Sequence, residues 1–224
     1  FAKLLDLPRS SVHGLIGSLL AAGLLRKTDE RHFALGAHVM YWANGFLAQQ
    51  DIVAEFHEAI ARLPELDPYT LTLSTLSNDQ VVYLACRNSQ SPLGFTFRIG
   101  MQLPAVFTAT GKMMLSALSA AEVQALLPQF PPPYTERSVQ SHTELADELA
   151  GCRRQGYALD DGQLRRGMHC FGTAVFDHAG QARFGVAASL IEAEADEKTR
   201  QHLVDGLKKL AAQLTRTLGG QLPA

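Results

Sequence analysis

Three clusters of residues in this 224-residue chain have the types and spacing that could do chemistry. A Gly-Lys pair, Gly111-Lys112, opens an apolar run in "LPAVFTATGKMM", residues 103 to 114. A His-Cys pair, His169-Cys170, follows Asp160-Asp161 in "GYALDDGQLRRGMHCFGTAVFD", and Pro8-Arg9-Ser10-Ser11 begins a helical pattern. Gly-Lys closes a phosphate-binding loop when a glycine stands five residues earlier, so that backbone N–H groups can curl around phosphates, and a Ser or Thr follows to hold magnesium. Here those places hold Val106 and Met113, so the nucleotide reading is set aside. A cysteine nucleophile needs a base within reach, but neighbours on a strand point to opposite faces, so His169 cannot serve the sulfur of Cys170. Unless another feature asks for it, Cys170 reads as a small buried hydrophobe. Histidines 13, 32, 38, 57, 142, 169, 178 and 202 form no ligand-spaced pair with cysteine or carboxylate, so neither a metal nor a cofactor is expected.

Composition narrows the classes. Apolar residues make up 46% of the chain, enough to fill a core at this length. A formal net charge of −2, with 20 Lys and Arg against 22 Asp and Glu, gives no overall pull toward nucleic acid or anionic membrane. Any basic surface must be local. Cys86, Cys152 and Cys170 are odd in number and widely spaced, which suits free thiols in a reducing compartment better than a disulfide framework. No apolar run approaches the roughly 18 residues that span a bilayer, and the start is not a secretory leader. The expectation is a soluble, cytoplasmic protein with no membrane partner.

Two kinds of local structure must position the clusters. Leu4, Leu5, Leu15, Ile16, Leu19 and Leu20 recur at helical spacing, broken by Asp6-Leu7-Pro8 and stopped at Gly23. "LLRKTDERHFALG" then reads as a short hairpin, so residues 1–36 make most of a winged helix-turn-helix. Residues 37–66 return to helical spacing, with Ile52, Phe56, Ile60 and Leu63 on one face, and read as a connector. From 67 to 224 the order is hairpin, strand, helices, strand, hairpin, helix. The first hairpin alternates Leu71 and Leu73 with threonines and serines and turns at Asn78-Asp79. A further strand is expected over "LGFTFRIG", residues 93 to 100. Ser119 and Glu122 have capping-box spacing, Gly156 stops a helix, and a second hairpin turns at Asp177 to Gly180. Leu203, Leu207, Leu210, Leu214 and Leu218 line one face of a last helix. That mixture predicts an α+β fold, an antiparallel sheet with helices packed on it.

In a helix-turn-helix the second helix enters the major groove by its N-terminal residues, which places Arg9, Ser10, Ser11 and His13 against bases or phosphates. Arg26, Lys27 and Arg31 would hold the backbone from the wing. Residues 1 to 32 carry five Lys and Arg against three Asp and Glu, a small local excess of the right sign. A helical hairpin used for packing alone remains the other reading of this segment.

"LPRSSVHGLIGSLLAAGLLRK" and "HFALG", followed by "RIGMQLPAVFTATGK" and "GYALDDGQLRRGMHCFGTAVFD", resemble the IclR family of bacterial transcriptional regulators over nearly the whole chain. The combination carries the likeness: Arg98-x-Gly100 through Leu103-Pro104 to Gly111-Lys112, Gly156-Tyr157 with Asp160-Asp161, and Gly167 with Cys170. The resemblance implies a winged helix-turn-helix, its first helix missing from this sequence, joined by a helix to an effector domain with a GAF-like antiparallel sheet. It implies a homodimer or dimer of dimers (homotetramer) on operator double-stranded DNA, and a pocket for a small-molecule effector, a carboxylate or aromatic acid, without catalysis or a cofactor. Position by position, Ala109 and Thr110 would offer backbone N–H groups to the anion, Asp160, Cys170 and Ser189 would be polar pocket residues, and Phe95, Leu103 and Met168 its apolar wall. A helix N-terminus attracts an anion without any phosphate loop, which accounts for the Gly-Lys pair. Three departures stand out. Ala187 lies where some members have serine, and Ala105-Val106-Phe107 replaces leucine, histidine and a small residue, which points to a more apolar ligand if these side chains face the pocket. Gly14 lies where arginine is frequent, which removes a DNA contact. The alternative is a metabolite-binding or catalytic α+β domain whose N-terminal helices serve assembly.

Overall fold

The computed structural model describes residues 1–29, 32–48, 52–89 and 96–222, and its contacts divide the chain into two compact units, Phe1–Asp51 and Ile52–Ala224. The division falls inside the segment read as a connector.

In the first unit α1, Ala2–Leu5, ends where Asp6 turns left-handed at φ 50°, and Pro8, with no N–H to donate, precedes α2, Arg9–Ala21. Gly23 takes φ 67° and leads into β1, Leu25–Lys27, which pairs antiparallel with β2, Phe33–Leu35. Helix α3, His38–Ala48, follows, tied to the end of α2 by His38 Nδ1 at 2.7 Å from the Ala22 carbonyl oxygen. The apolar periodicity of this segment does form helix but does not bury it. Val12 is the residue α2 buries, while Leu4, Leu15, Leu19, Met40, Tyr41 and Trp42 are exposed. A Cβ at Gly14 would meet nothing within 4 Å. Gly14→Ala is therefore expected to stabilise this unit by about 1 kcal/mol, the helix-propensity difference alone, read as a rise in its denaturant midpoint.

The second unit is an α+β layer structure. Helix α4, Ile52–Ala61, precedes the hairpin β3, Thr70–Ser77, and β4, Gln80–Arg87, which turns at Asn78 with φ 54°. Strand β5, Gln102–Pro104, leads through a 3-10 turn, Ala105–Phe107, into α5, Ala109–Ser116. Then come α6, Ala120–Leu126, with Ser119 and Glu122 forming the expected capping box, and α7, His142–Gln155, closed by Gly156 at φ 73°. Strand β6, Ala158–Asp160, the hairpin β7, Met168–Phe176, and β8, Ala182–Ile191, and the long helix α8, Glu197–Thr217, complete the unit. The strands form one antiparallel sheet in the order β5-β4-β3-β8-β7-β6.

Both faces of the sheet are covered. Leu71, Leu73, Phe171, Val175, Val186 and Ala188 meet α4 and α8 through Phe56, Ile60, Leu203, Leu207, Leu210 and Leu214. On the other face Cys170, Ala174 and Val81 pack with α5, α7 and the 3-10 turn. The strand expected over residues 93 to 100 is not there in the described part. Residues 96–98 are irregular, Gly100 turns the chain at φ 80°, and hydrogen bonding to β4 starts with Gly100 and Met101 on Tyr83, the regular ladder following from Gln102. The left-handed turn at Gly100 interrupts the extended path before β5.

Candidate functional site

The site arises where polar side chains fall on a buried sheet face. On β3 the leucines turn to α8, so Thr70, Thr72 and Ser74 must point the other way, toward α5, and all three are buried. Their partners on β8 are Ser189, Ala187 and Gly185, and β7 adds Cys170 and Gly172 on the same side. Small residues there let α5 come close. A Cβ at Gly172 would stand 2.9 Å from the Thr110 nitrogen, and one at Gly185 would stand 2.6 Å from the Thr110 Cβ. The N-terminus of α5 is thereby pressed onto the hydroxyl-bearing strands, and Ser74 Oγ donates to Thr110 Oγ1 at 2.8 Å.

Thr108 caps α5, its Oγ1 accepting the Gly111 N–H at 3.1 Å. The N–H groups of Ala109 and Thr110 belong to the first turn, which has no intrahelical acceptor, and the helix dipole adds partial positive charge there. Around this terminus lies a cavity of about 10 Å³, lined by Thr72, Tyr83, Phe97, Thr108, Ala109, Thr110, Asp160, Leu164, Cys170, Ala187 and Ser189. Its volume matches a single water molecule.

Asp160, at the end of β6 and 1% exposed, is the acidic group of the lining. Its Oδ1 accepts the N–H groups of Gly162 at 3.1 Å, Gln163 at 2.7 Å and Leu164 at 3.3 Å, so it also holds the loop from 161 to 167. Burial pushes its carboxyl up to about 6 from 3.8, against the opposing pull of Lys112 and of these backbone donors. Lys112, 1% exposed, points away from solvent, with Nζ 2.6 Å from Glu148 Oε2 and donating to the Leu159 carbonyl at 3.1 Å. Glu148 Oε1 in turn accepts from Gln163 Nε2 at 2.8 Å. Cys170 Sγ lies 3.1 Å from Ser189 Oγ, and burial holds the thiol far above its usual range, so no thiolate nucleophile forms here. His169 faces the other side, 3.7 Å from Glu192 Oε1, and burial lowers its pKa.

Of the residues singled out from the sequence, Ala109, Thr110, Asp160, Cys170 and Ser189 meet around this cavity. Leu103 and Met168 pack in the same core without lining it, and Phe95 lies outside the described residues. Phe107 does not face the cavity either. It is buried against Phe130 and Tyr134, so its bulk says nothing about a ligand. Ala187, the departure from serine noted in the sequence, does line the cavity, and Thr72, Tyr83, Phe97, Thr108 and Leu164 complete the lining without having been anticipated; the polar alternation of β3 was the available signal for Thr72. In the first unit Arg9, Ser10, Ser11 and His13 are exposed on the first turns of α2, and Arg26 and Lys27 are exposed on β1; Arg31 lies outside the described residues. A larger groove of about 720 Å³ borders Met113, Cys152, Phe176 and Ala211. Its cations are engaged in closing helices: Arg153 donates to the carbonyls of Ser116 at 2.5 Å and Leu118 at 3.1 Å, and Lys208 to Gln155 at 2.9 Å. Cys86, Cys152 and Cys170 are free thiols, and among the described residues no helix is long and apolar enough to cross a membrane.

Residues 44–216 match the family model described as bacterial transcriptional regulator IclR C-terminal. The chain belongs to the IclR family. The crystal structure of the Agobacterium tumefaciens repressor BlcR is similar over 99% of this chain and 88% of that one, with 45% identity and a TM-score of 0.74. The HTH-type transcriptional regulator XynR of Escherichia coli is 26% identical over 97% of this chain and 87% of its own. The acetate operon repressor of Salmonella typhimurium is 29% identical over 79% of this chain, which spans 66% of that protein. These relatives are transcriptional regulators, not enzymes.

Proposed function

We propose that this chain is a ligand-responsive, DNA-binding transcriptional regulator of the cytoplasm. The N-terminal helices and hairpin act as a winged helix-turn-helix, with Arg9, Ser10, Ser11 and His13 entering the major groove and Arg26, Lys27 and Arg31 on the phosphates. A homodimer or dimer of dimers would read an operator with two-fold symmetry. The second unit is the effector domain, of GAF-like fold, and its effector is a small carboxylate or aromatic acid. One observation carries this reading: Ala109 and Thr110, the first two residues of α5, line the same small cavity as Cys170 and Ser189, and the first-turn N–H groups of a helix are free to bind an anion. An effector changes DNA binding only by its difference in affinity for the DNA-competent and incompetent states, and residues 37–66 are the covalent path between the units.

Fluorescence anisotropy of the full chain on DNA from upstream of its own gene, at stated salt and with a panel of aliphatic and aromatic acids, tests this. Site-preferring, salt-dependent binding that one acid shifts is the expected result; binding no better than to random DNA under every addition overturns it. Arg9→Ala is expected to weaken operator binding roughly tenfold, as for the loss of one specific contact, and to leave acid affinity unchanged. Loss of acid affinity instead would contradict the division of labour between the units.

A further inference from the structure

The cavity pairs an anion-attracting helix terminus with a carboxylate, and the two demands conflict. Ala109 and Thr110 present N–H groups, yet Asp160 lines the same space of about 10 Å³ and is cut off from solvent. Two like charges confined at that range cannot both stay ionised. The groups facing Asp160 do not remove the conflict. On α5, Lys112 has Glu148 of α7 as its ion-pair partner. On β7 the Cys170 thiol and on β4 the Tyr83 hydroxyl are held protonated by burial, and Ser189 on β8 is neutral.

We propose that an anionic effector enters this cavity together with one proton, which Asp160 takes up. The inference rests on the reading of the cavity as an acid-binding site and goes beyond it by making the regulator respond to acid concentration and pH jointly. The same proton acts on the loop. A carboxyl group accepts the N–H groups of Gly162, Gln163 and Leu164 more weakly than a carboxylate does, and Leu164 is the loop side chain that lines the cavity. Gly162 at φ 99° and Gly167 at φ 75° bound that loop with residues free to turn. Neutralising the cavity and relaxing the loop that narrows it are thus one event. Asp160 with its raised pKa keeps its proton below about 6 and loses it above, so uptake on binding grows as pH rises past that point.

Isothermal titration calorimetry of the full chain with acetate and with benzoate, at several pH values and in two buffers of different ionisation heat, reads the proton directly. Both acids stay ionised throughout, so their own titration does not intrude. Expected at pH 8 is uptake close to one proton per bound acid, with affinity falling about tenfold per pH unit above pH 7. Asp160→Asn, whose amide oxygen can still accept the three N–H groups, is expected to bind with no uptake and a flat pH profile. Binding by the wild type with heats independent of buffer and a flat profile overturns this inference and leaves the acid site standing. Failure of either acid to bind at any pH overturns the acid-site reading, and the inference falls with it.

Discussion

Glu148→Ala is expected to lower the stability of the second unit by about 3 kcal/mol, more than most single truncations of a partly exposed residue. The cause is the residue left behind. Lys112 is 1% exposed, and without Glu148 its ammonium keeps the Leu159 carbonyl as its remaining acceptor in this structure. A buried charge without its counter-charge costs far more than an exposed one. Lys112→Met should cost much less, about 1 kcal/mol, because the Glu148 side chain, 34% exposed, can turn to water. The double variant should recover most of the loss. Urea unfolding at pH 7 with unchanged slope checks all three, and a Lys112→Met protein less stable than Glu148→Ala would show that the ammonium is not the buried liability described here.

Gly111→Ala is expected to be severely damaging for so conservative a change, costing about 3 kcal/mol or abolishing the folded state, although alanine is the better helix former. A Cβ there would overlap the Ala105 carbonyl oxygen and stand 2.5 Å from both the Ala105 Cα and Thr108 Oγ1. Two of these are backbone atoms of the 3-10 turn that precedes α5, and they cannot yield without moving the helix start. Thr108 would lose its cap on the Gly111 N–H, and the Ala109 and Thr110 donors would shift with it. Thermal unfolding and benzoate titration read the two effects separately. A variant of wild-type stability that binds acid normally would mean that the close approach of Gly111 is dispensable.

How much of this was legible beforehand depended on range. Turns with local causes were readable: Asn78, the Asp177 to Gly180 turn, the stop at Gly156 and the capping box at Ser119 each depend on residues within a few positions. Long-range outcomes were not. Lys112 and Glu148 are ordinary surface residues by pattern, and only the docking of α5 on α7 buries the Lys112 ammonium against a partly exposed Glu148. The alternation of Leu71 and Leu73 with Thr70, Thr72 and Ser74 showed one apolar face, and nothing local says that the hydroxyl face is buried too. Leu4, Leu15 and Leu19 mark the opposite error, since helical periodicity reports helix but not what covers it. The residues gathered at the cavity came from family likeness, and Leu103, Met168 and Phe107 show its limit: same core, different neighbours.

A cavity with room for one water has a consequence for dose. If acid binds only molecules in which the loop has opened, the concentration needed for response is the intrinsic dissociation constant divided by the open fraction. Sensitivity can then be retuned from outside the pocket. Thr135 and Ser138 donate to the carbonyls of Gly162 and Gln163, and Arg137 donates to that of Asp161, so under that condition these three side chains would bias the open fraction from outside the cavity lining. Regulators with identical linings can in this way answer to very different amounts of the same acid.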